Sequence, residues 1–218
     1  MSHARPPEGA RTAGQQAEGT PVRRIRFATL GPAGSNHELV VARYLEFHGL
    51  TGRAVTSLHA SFEEAVHRVL AGDADFLVQC AVHPATPETV AQYFRGLYLV
   101  DTFISPSRDL AVIRRKDCPA PATVGAMAAT TSYADLSRWG TVQPTETVAA
   151  VTRGLLDGRF DAGLAFATLA DEYPERFCID HHVESVDDAW LVYGRKRVSN
   201  GALVACANSA AARLFNEP

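Results

Sequence analysis

The architecture of this chain can be predicted from residues 25–38, which read IRFATLGPAGSNHE. Ile25–Leu30 is a short apolar run that predicts a strand. A glycine-rich turn follows, and the apolar spacing of residues 37–47 predicts a helix that Ser35 or Asn36 can cap. Because the first turn of a helix has free backbone N–H groups, it binds anions. We therefore expect an anion site at Gly34, Ser35 and Asn36, with simple structural capping as the alternative.

A helix-to-strand joint occurs twice, 86 residues apart. Residues 66–75, VHRVLAGDAD, and residues 152–161, TRGLLDGRFD, share a leucine, a glycine and an aspartate at matching positions. Two α/β lobes of similar plan explain this repeat, although two glycine-ended helices could also match by chance. Thr130, Thr131 and Ser132 predict the hydroxyl-rich start of a helix in the second lobe. We expect the ligand between the lobes to carry two anionic ends, as a dicarboxylate does.

The composition favours a soluble protein that acts on a small molecule. Among 218 residues, 21 Lys and Arg against 24 Asp and Glu give a net charge of -3, which argues against a nucleic-acid partner. No apolar run approaches the roughly 18 residues of a membrane span. The cysteines, Cys80, Cys118, Cys178 and Cys206, are widely separated, so we expect reduced thiols and neither a metal nor a cofactor.

The first 22 residues have a different composition from the rest. They contain no aromatic residue and no periodic apolar pattern, so we predict a disordered tail over 1–22. They also lack the apolar core of a secretory signal, and we expect a cytoplasmic protein.

Residues 27–38 resemble the opening of prephenate dehydratases, in which a strand is followed by Gly-Pro-x-Gly-Ser/Thr and the first helix. The resemblance extends more weakly to Gly194. It implies an α/β, two-lobed, periplasmic-binding-protein-like (type II) fold with a central cleft and no ACT regulatory domain. Residues 23–104 plus 189–218 would form lobe one, and residues 105–188 would form lobe two. The family commonly dimerises, so a homodimer is expected.

Three stretches depart from the dehydratase pattern. Asp188, Ala189 and Trp190 occupy the places of the family's Thr-Arg-Phe, in which Thr helps the ring hydroxyl to leave and Arg holds a carboxylate. Residues 129–131 replace Ser-His-Pro, and residues 80–83 replace Pro-Ile-Glu-Asn. The short prephenate decarboxylases of bacilysin-type antibiotic pathways have similar losses. Like residues 190–194 here, they carry a tryptophan before an aliphatic-aromatic-Gly run.

This resemblance, read with the residue chemistry, supplies the candidate site residues. A non-aromatising decarboxylase needs an acid that protonates the ring, and His83 and Asp188 are the catalytic candidates. The leaving carboxylate should lie against an apolar wall, because its charge disperses in the transition state. The substrate-binding candidates are Gly34, Ser35, Asn36, His37, Phe103, Arg108, Thr130, Thr131, Ser132, Trp190 and Tyr193.

Two other functions fit the same residues. The first is a prephenate dehydratase, or a related enzyme acting on another ring carboxylic acid. The second is a non-catalytic sensor that binds a small anion in the same cleft, because such a protein would also have lost the reactive residues.

Overall fold

We analyse a computed structural model of the protein. It describes the structure of residues 23–206 and Ser209. The tail predicted at residues 1–22 lies outside these described residues. In chain order the elements are β1 (Ile25–Leu30), α1 (Asn36–Phe47), β2 (Ala54–His59), α2 (Phe62–Ala71), β3 (Phe76–Cys80), α3 (Thr86–Tyr93), β4 (Tyr98–Pro106), β5 (Leu110–Arg115), β6 (Thr123–Met127), β7 (Thr141–Thr145), α4 (Val148–Leu156), β8 (Ala162–Phe166), α5 (Thr168–Glu172), β9 (Phe177–Glu184) and β10 (Asp187–Gly194). Short 3-10 helices at Ala128–Tyr133 and Leu136–Trp139 join β6 to β7.

Two five-stranded sheets of equivalent topology define two lobes. Lobe one has the strand order β2-β1-β3-β10-β4, and lobe two has the order β7-β6-β8-β5-β9. The first three strands in each of these orders are parallel to one another, and the fourth is antiparallel to the third. The fifth strand is antiparallel to the fourth. The repeat is visible directly, since α2 and β3 begin 86 residues before α4 and β8. The predicted two-lobed α/β fold is confirmed.

The chain passes between the lobes twice. The first crossover, residues 107–109, joins β4 to β5, and the second, residues 185–186, joins β9 to β10. The two crossovers run side by side, because Ser107 N–H donates to the Val186 carbonyl over 2.9 Å. The lobe boundaries expected after residue 104 and after residue 188 fall inside β4 and β10, respectively.

Helix α1 and helix α2 cover opposite faces of the lobe one sheet. Val40 and Val41 of α1 pack in the same cluster as Trp190, whereas Val66 of α2 packs with Tyr193. The predicted cap of α1 is present, since the Ser35 hydroxyl accepts from Glu38 N–H over 3.3 Å. In α2 the Ser61 hydroxyl accepts from Glu64 N–H over 3.1 Å in the same way. No helix in the described part of the chain combines the length and apolarity needed to cross a bilayer.

The helix start predicted at residues 130–132 is wrong. Thr130, Thr131 and Ser132 lie inside a 3-10 helix, where the Thr130 hydroxyl donates backwards to the Met127 carbonyl over 3.0 Å. The cap of α4 is Thr147, whose hydroxyl accepts from Ala150 N–H over 3.0 Å. Thr86 does not cap α3, because its hydroxyl donates to the carbonyl of Cys80 over 2.8 Å.

Candidate functional site

A cleft of about 340 Å³ lies between the lobes. Its lining includes the last residues of two parallel strands from each sheet. These are Leu30 of β1 and Cys80 of β3 in lobe one, and Met127 of β6 and Phe166 of β8 in lobe two. Ligands of open α/β sheets bind beyond these carboxyl ends. The duplication therefore makes one site from two sheet edges that face each other.

Most of the predicted site residues line this cleft. Those brought together are Ser35, Asn36, His37, His83, Arg108, Thr130, Asp188 and Trp190. Those outside the lining are Gly34, Phe103, Thr131, Ser132 and Tyr193.

Strand geometry explains two of the residues that lie outside. Tyr193 is three positions from Trp190 on β10, so the two side chains point to opposite faces of the sheet, and Tyr193 packs in the α2 cluster. Phe103 is on the same face as Trp190 but packs on Tyr44, with ring centroids 4.7 Å apart. Trp190 itself is almost fully buried, and its indole N–H donates to the Ser105 carbonyl over 3.3 Å.

Two helix N-termini face the cleft from opposite lobes. In lobe one these are the first residues of α1, Asn36 and His37. In lobe two they belong to α4, where Val148 follows the cap Thr147. The first backbone N–H groups of each helix have no acceptor within the helix. The expectation of two helix starts thus holds, but α4 takes the place that we assigned to Thr130–Ser132.

Arg108 lies on the first crossover and reaches into the cleft. Its backbone N–H donates to the side-chain oxygen of Asn36 over 2.9 Å, and its guanidinium lies over the Phe166 ring, 5.7 Å from the centroid. The Nε atom is buried and hydrogen-bonds to no described residue. A buried guanidinium nitrogen without an acceptor is costly, and a bound carboxylate would satisfy it.

Two histidines form an aromatic cluster at one side of the cleft. The His37 ring packs 5.1 Å from Trp190, 5.2 Å from Phe62 and 5.9 Å from His83. Burial, reinforced by the charge of His83, lowers the pKa of His37 to about 3. His37 is therefore neutral at physiological pH, and its Nε2 has no hydrogen-bond partner among the described residues.

His83 is buried less deeply. Burial lowers its pKa below the ordinary value, so the neutral ring predominates at pH 7. Its Nδ1 accepts from the Ala85 N–H over 3.1 Å, which places the proton of the neutral ring on Nε2.

Asp188 supplies a negative charge near Arg108. It accepts a short hydrogen bond from the hydroxyl of Ser107, the residue before Arg108. Burial raises the pKa of Cys80 to about 11, and the carboxylate of Asp188 adds to that rise. Burial followed by the same carboxylate also raises the pKa of Tyr133. Both groups stay protonated at pH 7, so Asp188 faces a thiol and a phenol rather than an ion pair.

Sequence reasoning missed several cleft residues, among them Ser107, Tyr133 and Thr147. Ser107 adjoins Arg108 in a Ser-Pro-Ser-Arg run, so its place on the crossover was a usable signal. Nothing local marked Tyr133, because its approach to Asp188 depends on the 3-10 helix and on the packing of both lobes. Among the described residues no group of three His, Cys, Asp or Glu side chains could hold a metal ion.

No protein-family profile matches this chain, and no curated protein matches it. Solved structures do resemble it. A prephenate dehydratase from Arthrobacter aurescens in complex with L-Phe has a TM-score of 0.61 and 18% identity, over 84% of this chain and 62% of that one. The prephenate dehydratase of Staphylococcus aureus has a TM-score of 0.55 and 13% identity, over 81% and 69%. GqqA, a quorum-quenching acylase, has a TM-score of 0.52 and 12% identity, over 80% and 65%.

These likenesses show a shared fold. The chain spans less than two thirds of the Arthrobacter protein. Two of these three structures are prephenate dehydratases.

Proposed function

We propose that this protein is a carboxy-lyase that removes the ring carboxylate of prephenate as CO₂ and leaves the ring hydroxyl in place, as a step of antibiotic or other specialised biosynthesis. The observation that carries the proposal is the uneven charge of the cleft. Arg108, together with the N-termini of α1 and α4, offers positive potential to one carboxylate. Asp188 and the buried Trp190 offer none to the other.

This asymmetry favours loss of the carboxylate on the Asp188 side. A carboxylate beside a fixed negative charge and an apolar wall is poorly stabilised. When it leaves as CO₂ its charge disperses into the ring, so the same surroundings oppose the transition state less than the bound substrate. The carboxylate at Arg108 stays bound throughout and holds the molecule in place.

The step balances with one proton. The electron pair of the broken C–C bond forms a new ring double bond, the neighbouring double bond shifts, and its far carbon takes up a proton. In the proposal His83 delivers that proton from its imidazolium form. Aromatisation would instead expel the hydroxyl as water. That reaction requires an acid on the departing oxygen, and at the position of the family's threonine the chain has Asp188, which already accepts from Ser107.

The test is incubation of purified protein with prephenate, followed by CO₂ measurement and mass spectrometry. We expect CO₂ release with a non-aromatic hydroxylated ketoacid, above a control without protein. Phenylpyruvate as the enzymatic product would replace the proposal by a dehydratase. Saturable binding without turnover would replace it by the anion sensor.

Arg108→Ala tests the assignment of the retained carboxylate. Loss of a charge-assisted hydrogen bond costs about 2 kcal/mol, so the affinity for prephenate should fall roughly 30-fold. Arg153→Ala is a matched control, because Arg153 is an exposed arginine of α4 outside the cleft. Equal affinities for the two variants would contradict a role for Arg108.

A further inference from the structure

Residues 108 and 109 of the first crossover are tied to both lobes. The backbone N–H of Arg108 donates to the side-chain oxygen of Asn36, the first residue of α1 in lobe one, over 2.9 Å. One residue later, the Asp109 carbonyl accepts from the N–H of Ala167 in lobe two over 2.9 Å. Two hydrogen bonds of opposite direction therefore fix this peptide between the lobes.

The side chain of Arg108 depends on that anchoring. Its guanidinium extends over Phe166 at the end of β8, while its backbone is held by Asn36. The crossover has no regular secondary structure around Arg108, so no strand ladder sets the backbone there. The buried Nε has no acceptor among the described residues, so a ligand carboxylate would satisfy it.

We infer that Asn36 is a positioning residue, which sets the guanidinium of Arg108 for a substrate carboxylate through the Arg108 backbone. The inference rests on the proposed function for the identity of the substrate, because it assigns Arg108 to the retained carboxylate. Asn36 thereby links the helix start that binds the anion to the arginine that binds the same anion from the crossover.

A double-mutant cycle separates this role from direct contact between Asn36 and the ligand. Prephenate affinity is measured by calorimetry for wild type, Asn36→Ala, Arg108→Ala and the double variant. We expect Asn36→Ala alone to weaken binding about tenfold and to have little further effect once Arg108 is alanine. A tenfold loss in both backgrounds would mean that Asn36 contacts the ligand directly, and it would overturn the inference.

Amide exchange supplies a readout that needs no ligand. The Arg108 amide should be protected in wild type and in Asn36→Asp, which keeps the accepting oxygen, and should lose protection in Asn36→Ala. Equal protection in all three proteins would overturn the inference. Asp at this position adds a charge at the anion site, so Asn36→Asp should keep the protected amide and yet bind prephenate poorly.

Tyr44→Phe controls for a general weakening of α1. It removes the hydrogen bond from the Tyr44 hydroxyl to Asp101, on the same helix and away from the cleft lining. We expect its prephenate affinity to equal that of wild type, and a tenfold loss would attribute the Asn36 effect to helix stability. If prephenate binds with coupled energies but is not decarboxylated, the proposed reaction fails and the positioning role stands. Additive energies with intact decarboxylation would give the reverse result.

Discussion

The free energy of unfolding of this protein should decrease as the pH is lowered, because of His37. Burial against Phe62 and Trp190 lowers the pKa of this ring to about 3, from an ordinary value of 6.5. Below pH 6.5 the unfolded chain therefore binds a proton that the native protein does not bind. Stability decreases with falling pH wherever the unfolded state binds more protons, so the loss should begin near pH 6.5 and continue towards pH 3.

The size of the effect follows from the two pKa values. At pH 7.5 neither state is protonated to a significant degree. At pH 5.0 the unfolded histidine is almost fully charged while the native one remains neutral, which corresponds to about 2 kcal/mol. His83 contributes in the same direction, because burial lowers its pKa as well. That contribution is present in wild type and in a His37 variant, so their difference reports mainly the titration of His37 together with its coupling to His83.

The assay compares urea unfolding of wild type and His37→Asn at pH 7.5 and pH 5.0. Asn cannot be protonated, so the stability gap between the two proteins should shrink by about 2 kcal/mol at the lower pH. Val40→Ala, a core variant on the same helix, removes no titratable group and should show the same gap at both values. A His37→Asn gap that does not change with pH would refute the burial argument.

Three further predictions concern lobe two and the proposed acid. Gly154→Ala should lower the free energy of unfolding in urea by about 1–3 kcal/mol, because its Cβ would lie 2.2 Å from the Phe160 ring; a rise would show that helix propensity prevails. Thr147→Ala should cost about 1 kcal/mol in the same assay through loss of the α4 cap, whereas Thr147→Ser should not, and equal losses would count against capping. The turnover of prephenate should rise as pH falls from 8 to 6, because the lowered pKa of His83 leaves a small imidazolium fraction at pH 8 that grows as the pH falls. His83→Asn should remove this rise, and an unchanged profile would exclude His83 as the proton donor.

Local signals predicted the fold well, and they were least reliable where a hydroxyl had two possible partners. Ser35 and Ser61 cap α1 and α2 as their sequences indicate, because a cap needs only neighbouring residues. Thr130 lies in an equally suitable context, yet its hydroxyl donates to the residue behind it. The segment instead forms two short 3-10 helices, which place Leu136 and Trp139 in the core of lobe two. Tertiary packing determines which partner the Thr130 hydroxyl takes, and that packing cannot be predicted from local sequence.

The candidate site could be predicted where residues adjoin strand ends. His83 and Arg108 line the cleft because each lies shortly after the end of a strand that the sequence predicts. The role of Asp188 depends on more distant groups. Its neighbours, Ser107, Tyr133 and Cys80, come from the crossover, from lobe two and from β3, and no local pattern connects them.

The arrangement of the two crossovers bears on the proposed chemistry. Arg108 lies on the first crossover, and Asp188 is the second residue of β10, which follows the second crossover. No ion pair joins them in the described part of the chain, and Asp188 accepts a hydrogen bond from Ser107. Opposite charges that neighbour each other without pairing leave the cleft polarised. The near-zero net charge of the chain therefore conceals a local separation of charge in the cleft, on which the proposed decarboxylation depends.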